Sequence, residues 1–232
     1  MLEGLDKETE ARLSSWLQES INSGKHQLGE GYQGSLYLYR DNDLHLLIKV
    51  AKGNFLTRKV HEFMLHKERN VYRRMGALEG VPRCYGMLDN RYLVLEFVSG
   101  TPIRHAEIVD RASFFEQLLA LINKLHEIGV AHGDMKKQDN LLVVDGKVPC
   151  LIDFGVAVVR KPGFAPLNHF LFRVLQKFDF NAWIKLKYQG RYDEITEEDR
   201  PLWKRTRLEK VARWIKFKYL PVKAFILGRL KR

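Results

Sequence analysis

The sequence predicts an α+β fold of two lobes, a strand-rich N-lobe and a reduced helical C-lobe. Three observations carry this. Strand-like segments run from Ser35 to Val98 around one long helical stretch, helical periodicity prevails beyond Ile108, and Ser99-Gly-Thr-Pro102 breaks the chain between them. At 232 residues and 45% apolar content the chain can bury a sizeable core. Its apolar stretches, such as Leu141–Val144 and Ala224–Leu227, fall far short of the roughly 18 residues a membrane span requires. No basic segment followed by an apolar run opens the chain, so a cytoplasmic protein is expected. Cys84 and Cys150 are too far apart for a CxxC site and too few for a disulfide framework, and read as buried thiols.

The elements follow in order. Asp6 is placed to cap a helix running to Ile21, with Leu13, Trp16, Leu17 and Ile21 at helical spacing. Ser35–Tyr39 and Leu44–Val50 flank the turn Arg40-Asp-Asn-Asp43 and predict a hairpin. Phe55–Met75 predicts a helix whose apolar stripe comprises Leu56, Val60, Phe63, Met64, Val71, Tyr72 and Met75. Glu68 falls on that stripe and needs a cation, whereas Glu62 shares a face with Lys59 and His66 and is expected in solvent. Strands are expected at Val81–Gly86 and Arg91–Val98, a helix at Ile108–Ile128 stopped by Gly129, and short strands at Leu141–Val144 and Cys150–Ile152 around the turn Asp145-Gly146. Beyond Arg160 the chain reads as helices, where Asp179 and Asp193 are expected as solvated acids. These signals divide the chain into an N-terminal helical extension (1–24), an N-lobe (25–98), a C-lobe (99–202) and a tail (203–232).

Ten of the eleven net positive charges reside in that tail, which holds eleven Lys or Arg residues against Glu209 alone. Leu208, Val211, Ala212, Ile215 and Tyr219 form an apolar stripe beside Arg207, Lys210, Arg213 and Lys216, with Trp203, Trp214 and Phe217 among them. Such a basic amphipathic segment suits an anionic membrane surface. A final helix packed on the C-lobe, or a nucleic-acid or ribosomal contact, would use the same residues.

Four constellations carry chemistry. Gly29-Glu-Gly31-Tyr-Gln-Gly34 precedes a strand and would let backbone amides approach an anion, although a glycine-rich hairpin reads the same way. Lys49 lies in the apolar strand Leu-Leu-Ile-Lys-Val, with the inward Glu68 as its natural partner. His132-Gly-Asp134-Met-Lys136-Lys-Gln-Asp139-Asn140 and Asp153-Phe-Gly155 place oxygen ligands at the mouths of two short strands, a donor set suited to Mg²⁺.

Taken together over residues 28–160, these motifs and the hinge-like Leu95-Glu-Phe-Val98 resemble the protein-kinase-like superfamily, in the family's order. The resemblance implies that Gly29, Gly31 and Gly34 cover the phosphates of ATP and that Lys49, held by Glu68, contacts them. It implies adenine contacts from the backbone of Glu96 and Val98, with Leu95 behind. Asp153 would hold Mg²⁺ (or Mn²⁺), with Asn140, or alternatively Asp139, as second ligand. Asp134 would orient the acceptor hydroxyl and take its proton, Lys136 would neutralise the transferred phosphoryl group, and His132 would pack under Phe154.

The chain departs from the common pattern in three places. Asp134 and Asn140 lie six positions apart rather than five, Gly133 replaces the usual arginine, and after Gly155 there is neither Ala-Pro-Glu nor any serine. These features are similar to bacterial lipopolysaccharide-core sugar kinases and to RIO-type protein kinases. The expectation is therefore a cytoplasmic kinase, peripheral on the inner face of the membrane, that phosphorylates a glycolipid sugar such as the lipopolysaccharide core. A RIO-like Ser/Thr kinase or ATPase is the alternative, and a pseudokinase adaptor has no chemical need of Lys49, Asp134, Asn140 and Asp153 together.

Overall fold

The computed structural model describes residues 2–203 except 32, 33 and 43, so all of the basic tail but Trp203 lies outside the described residues. Helix α1 (Lys7–Ser23) begins where Asp6 accepts a hydrogen bond from the Thr9 amide and ends at Gly24 in the left-handed region, as the cap signals require. Strands β1 (Gln27–Gly31), β2 (Gly34–Asp41) and β3 (Leu44–Ala51) follow, then α2 (Phe55–Met75), β4 (Cys84–Leu88) and β5 (Tyr92–Glu96). They form one antiparallel sheet in the order β1-β2-β3-β5-β4.

Alternation along β3 decides what each face of the sheet meets. Leu46, Ile48 and Val50 turn outward into a core with Leu13 and Leu17 of α1, while Leu47 and Ala51 pack with the second core under α2. Covering both faces explains why Tyr92 to Leu95 of β5 are all buried, a continuous run rather than an alternating one. The N-terminal helix is therefore the lid of the sheet's outer face.

The second core continues into the C-lobe. After β6 (Thr101–Pro102), helix α3 (Arg111–Glu127) buries Phe114, Phe115, Leu118, Leu121, Ile122 and Leu125, the stripe its sequence predicts. Strand β7 (Val130–Ala131) pairs with β10 (Val158–Val159), and β8 (Leu141–Val144) with β9 (Val148–Leu151) and β6. Helix α4 (Pro166–Lys187) lies against α3, fixed by Trp183, whose indole N–H donates to the Phe115 carbonyl at 2.8 Å. Among the described helices none is long and apolar enough to cross a membrane.

Three expectations are corrected. The first two turns of α2 do not bury their stripe: Phe55, Leu56, Val60 and Phe63 are exposed, and the helix packs through Leu65, Glu68, Val71, Tyr72 and Met75 instead. Glu62 is not a free surface acid but is enclosed by Lys59 at 3.2 Å, Arg91 at 3.5 Å and Arg58 at 3.8 Å. Asp179 is buried in α4 rather than solvated, whereas Asp193 is exposed as expected.

Candidate active site

The two-residue period that sends Ile48 outward sends Lys49 inward, under α2. There its ammonium lies 2.7 Å from Glu68 and 3.2 Å from Asp153, joining β3, α2 and the strand-end after β9. Glu68 is only 3% exposed, so this pairing compensates the desolvation of a carboxylate. Burial alone would depress the Lys49 pKa, but Glu68 and Asp153 outweigh it and hold it above the ordinary lysine value. Burial likewise pushes the Asp153 carboxyl up, yet Lys49, Lys137 and His132 bring it below the usual aspartate value. Both groups are charged at neutral pH. Asp153 has a φ of +63°, a conformation that costs a non-glycine residue energy and is found where a site constrains the backbone.

Below Asp153 the chain is anchored from α4. Asp179 accepts hydrogen bonds from the His132 amide at 2.9 Å and the Gly133 amide at 2.8 Å, and its other partner is His126 Nε2 at 3.0 Å. Gly133 adopts a φ of +79°, and a Cβ there would come within 2.9 Å of Leu175, which accounts for glycine in place of arginine. The His132 ring packs 4.6 Å from Phe154 with Nε2 at 3.0 Å from the Ile152 carbonyl, and Phe154 meets Tyr72 edge-on at 5.3 Å. This stack ties α2 to the loop that carries Asp134.

Asp134 and Asn140 meet across the turn between β7 and β8: Asn140 Nδ2 donates to the Asp134 carbonyl at 3.2 Å and to its carboxylate at 3.3 Å. Asp139 turns the other way, to Arg104 at 2.8 Å. Of the two alternatives for a second metal ligand, only Asn140 is buried beside Asp134. The extra residue in the loop also separates the two lysines. Lys136 rests over the Phe178 ring at 5.4 Å, whereas Lys137 lines the cleft and reaches to 3.9 Å of Asp153.

Lys49, Glu68, Asp134, Asn140 and Asp153 open into one cleft of about 590 Å³ between the lobes. Leu95, Glu96 and Val98 line it too, with the Glu96 side chain drawn away by the Arg83 amide at 2.9 Å. Gly29 and Gly31 lie in β1 and Gly34 opens β2. A Cβ on Gly34 would sit 2.0 Å from the Val50 carbonyl, so this glycine is required for the β2–β3 pairing itself, while a Cβ on Gly29 would meet open space. The residues offer the oxygen donors that Mg²⁺ takes: the Asp153 carboxylate faces the cleft, and the Asn140 amide, whose nitrogen is spent on Asp134, keeps its oxygen as the remaining polar atom, although among the described residues no cluster of three or more His, Cys, Asp or Glu side chains forms.

The sequence profile of the protein kinase domain matches residues 23–171. The chain belongs to the protein kinase family. Among its curated relatives are a probable serine/threonine-protein kinase, fnkB, of Dictyostelium discoideum, 26% identical over 51% of this chain and 25% of the relative. Serine/threonine-protein kinase PEPKR2 of Arabidopsis thaliana is 29% identical over 66% of this chain and 33% of its own length. Serine/threonine-protein kinase DBF20 of Saccharomyces cerevisiae is 29% identical over 56% and 25% respectively. The matches thus span a quarter to a third of these relatives, and in this kinase-family chain α1 and most of α4 lie outside the profile match.

Two residues of the site escaped the motifs. Asp179 stands in Phe178-Asp-Phe-Asn-Ala-Trp183, a carboxylate inside an apolar run, the same signal that singles out Glu68. Lys137 had no signal, because which of two adjacent lysines faces the cleft depends on the loop's path.

Proposed function

We propose that this chain is an ATP-dependent phosphotransferase that moves the γ-phosphoryl group to an alcohol hydroxyl. The observation that carries the reading is the Lys49–Glu68 pair reaching Asp153 above the Asp134–Asn140 contact, all within one cleft. In this reading the backbone of Glu96 and Val98 meets the adenine, the segment from Gly29 through Gly31 to Gly34 covers the phosphates, and Lys49 binds them from below. Asp153 and Asn140 would hold Mg²⁺, which when bound neutralises phosphate charge. Asp134 orients the acceptor hydroxyl and takes its proton. We assign the cation that faces the transferred group to Lys137 rather than Lys136, on the strength of their positions.

The relatives, named as serine/threonine-protein kinases, favour a protein hydroxyl as acceptor, the RIO-like alternative of the sequence reading. A second reading, a glycolipid sugar such as the lipopolysaccharide core, rests on a specific observation. Only residues 156–165 separate Gly155 from α4, and they hold no serine or threonine, a short segment on which to lay an extended peptide. In that reading the basic tail tethers the protein to an anionic membrane.

Transfer of labelled γ-phosphate with Mg²⁺ into a soluble lysate and a membrane glycolipid fraction decides between them. Label in protein, lost in Asp134→Ala and Asp153→Ala, supports the protein kinase. Label in the protein-free glycolipid, lost in the same variants, supports the sugar kinase. Transfer to neither, with ATP still bound, would refute catalysis and leave an adaptor.

A further inference from the structure

Large apolar side chains are exposed in two stretches, and α2 and α4, which carry most of them, share the walls of one groove. The first is Phe55, Leu56, Val60 and Phe63 on the opening turns of α2, and the second is Phe164, Leu167, Phe170 and Leu171 at the start of α4. The groove, of about 560 Å³, has walls that include Lys67 and Val71 of α2, Val158 of β10, and Lys161, Leu167 and Leu171, so of the exposed side chains Leu167 and Leu171 enter it directly. Phe63 lies four residues before Lys67 and so continues the α2 wall by one turn. No fold requirement explains these rings: Phe164 is 96% exposed and Phe63 70%. An apolar surface of this extent on a soluble domain marks an interaction site.

The charges around it have one sign. Residues 156–178 contain no Asp or Glu but carry Arg160, Lys161, Arg173 and Lys177. The two carboxylates of α2 are both engaged, Glu68 by Lys49 and Glu62 by Arg58, Lys59 and Arg91, while Lys67 faces the groove. The surface is therefore apolar with a cationic rim that reaches into the groove wall at Lys67 and Lys161.

We propose that this face, formed by the start of α2, the segment after Gly155 and the start of α4, docks on an anionic lipid bilayer. A peptide helix seats its side chains in a recessed apolar groove, whereas here the largest rings project beyond the groove. A bilayer closes around projecting Phe and Leu side chains at the headgroup and acyl boundary, and its anionic headgroups match the cationic rim. The inference concerns where the molecule sits and holds whichever hydroxyl is the acceptor. It differs from tethering by the tail, because every residue it uses lies within the described fold.

The test uses the full chain with an environment-sensitive NBD fluorophore on Phe164→Cys. Cys150 is buried but Cys84 only half-buried, against the expectation of two buried thiols; burial pushes them up to about 12 and about 11, which slows their labelling, and wild type carried through the same reaction reads what they take up. On vesicles of phosphatidylglycerol and phosphatidylcholine the probe should brighten several-fold, shift to the blue and be quenched by spin-labelled lipid. Pure phosphatidylcholine should give no change, and neither should the same probe on Asn42→Cys in the exposed β2–β3 turn. The unlabelled double variant Phe164→Ser/Leu167→Ser should lose at least fivefold in vesicle partitioning while ATP turnover without vesicles stays at the wild-type value. Binding to vesicles with the probe at 164 unmoved would overturn the proposal in favour of the tail alone. Indifference to anionic vesicles, with the probe responding to a protein partner instead, would overturn it in favour of a docking protein. Loss of turnover in wild type counts against the proposed phosphotransfer and leaves the vesicle result intact.

Discussion

Two buried carboxylates sit on helices of this protein, Glu68 on α2 at 3% exposure and Asp179 on α4 at 1%, and they are neutralised in opposite ways. Glu68 faces one ammonium, which it shares with Asp153 at the edge of the cleft. Asp179 faces two backbone amides and a buried imidazole, none of which lines the cleft. A carboxylate paired with a side chain at the cleft edge stays responsive to what enters, whereas one paired with backbone amides fixes the chain's path. The first belongs to the chemistry and the second to the scaffold that holds it.

The largest effect should come from the scaffold side. Asp179→Ala leaves two amides buried without acceptors and should cost about 3 kcal/mol or more, read as a drop in urea midpoint, with no side-chain substitution elsewhere restoring it. Unchanged stability would erase the contrast. Next, Lys49→Met should lower phosphotransfer by about 100-fold or more and also destabilise the fold, because Glu68 remains buried and uncompensated. Adding Glu68→Leu should restore most of the stability and none of the activity, a double-mutant cycle with no counterpart at Asp179.

A finer comparison lies within the loop. Lys137→Ala should reduce kcat by about tenfold and Lys136→Ala by much less, since only Lys137 faces Asp153; the reverse order in steady-state kinetics would return the role to Lys136. The smallest effect is expected at Glu62. Burial raises its pKa, but Lys59, Arg91 and Arg58 outweigh this and set it below the ordinary glutamate value of 4.5. Its contribution is therefore present above pH 4.5 and lost as the pH falls through the lowered value. Glu62→Gln should cost about 0.5 kcal/mol at neutral pH and progressively less as the pH falls below 4.5, measured by urea unfolding across that range.

The parts of this molecule that sequence reveals are those in which a local pattern has one structural solution. Asp6 caps α1 as written, the turn after Asp41 joins the expected hairpin, and the apolar stripe of α3 is the one that is buried. Lys49 and Glu68 are legible because each is a charge in an apolar setting and each answers the other. Asp179 gave the same signal, but two of its three partners are backbone amides that every residue possesses, and the third, His126, sits on the last turn of α3 with nothing in the sequence to mark it. The α2 stripe misled for a different reason. Periodicity identifies an apolar face but not whether anything covers it, and the sheet ends before the first two turns of that helix find a neighbour.

Helix α4 carries both Leu167, on the exposed apolar face, and Asp179, which holds the amides of His132 and Gly133. Twelve residues of unbroken helix separate them, about 18 Å of stiff rod. With the Trp183 indole seating that rod on α3, the exposed apolar face and the peptide groups just before Asp134 are held in one fixed relation.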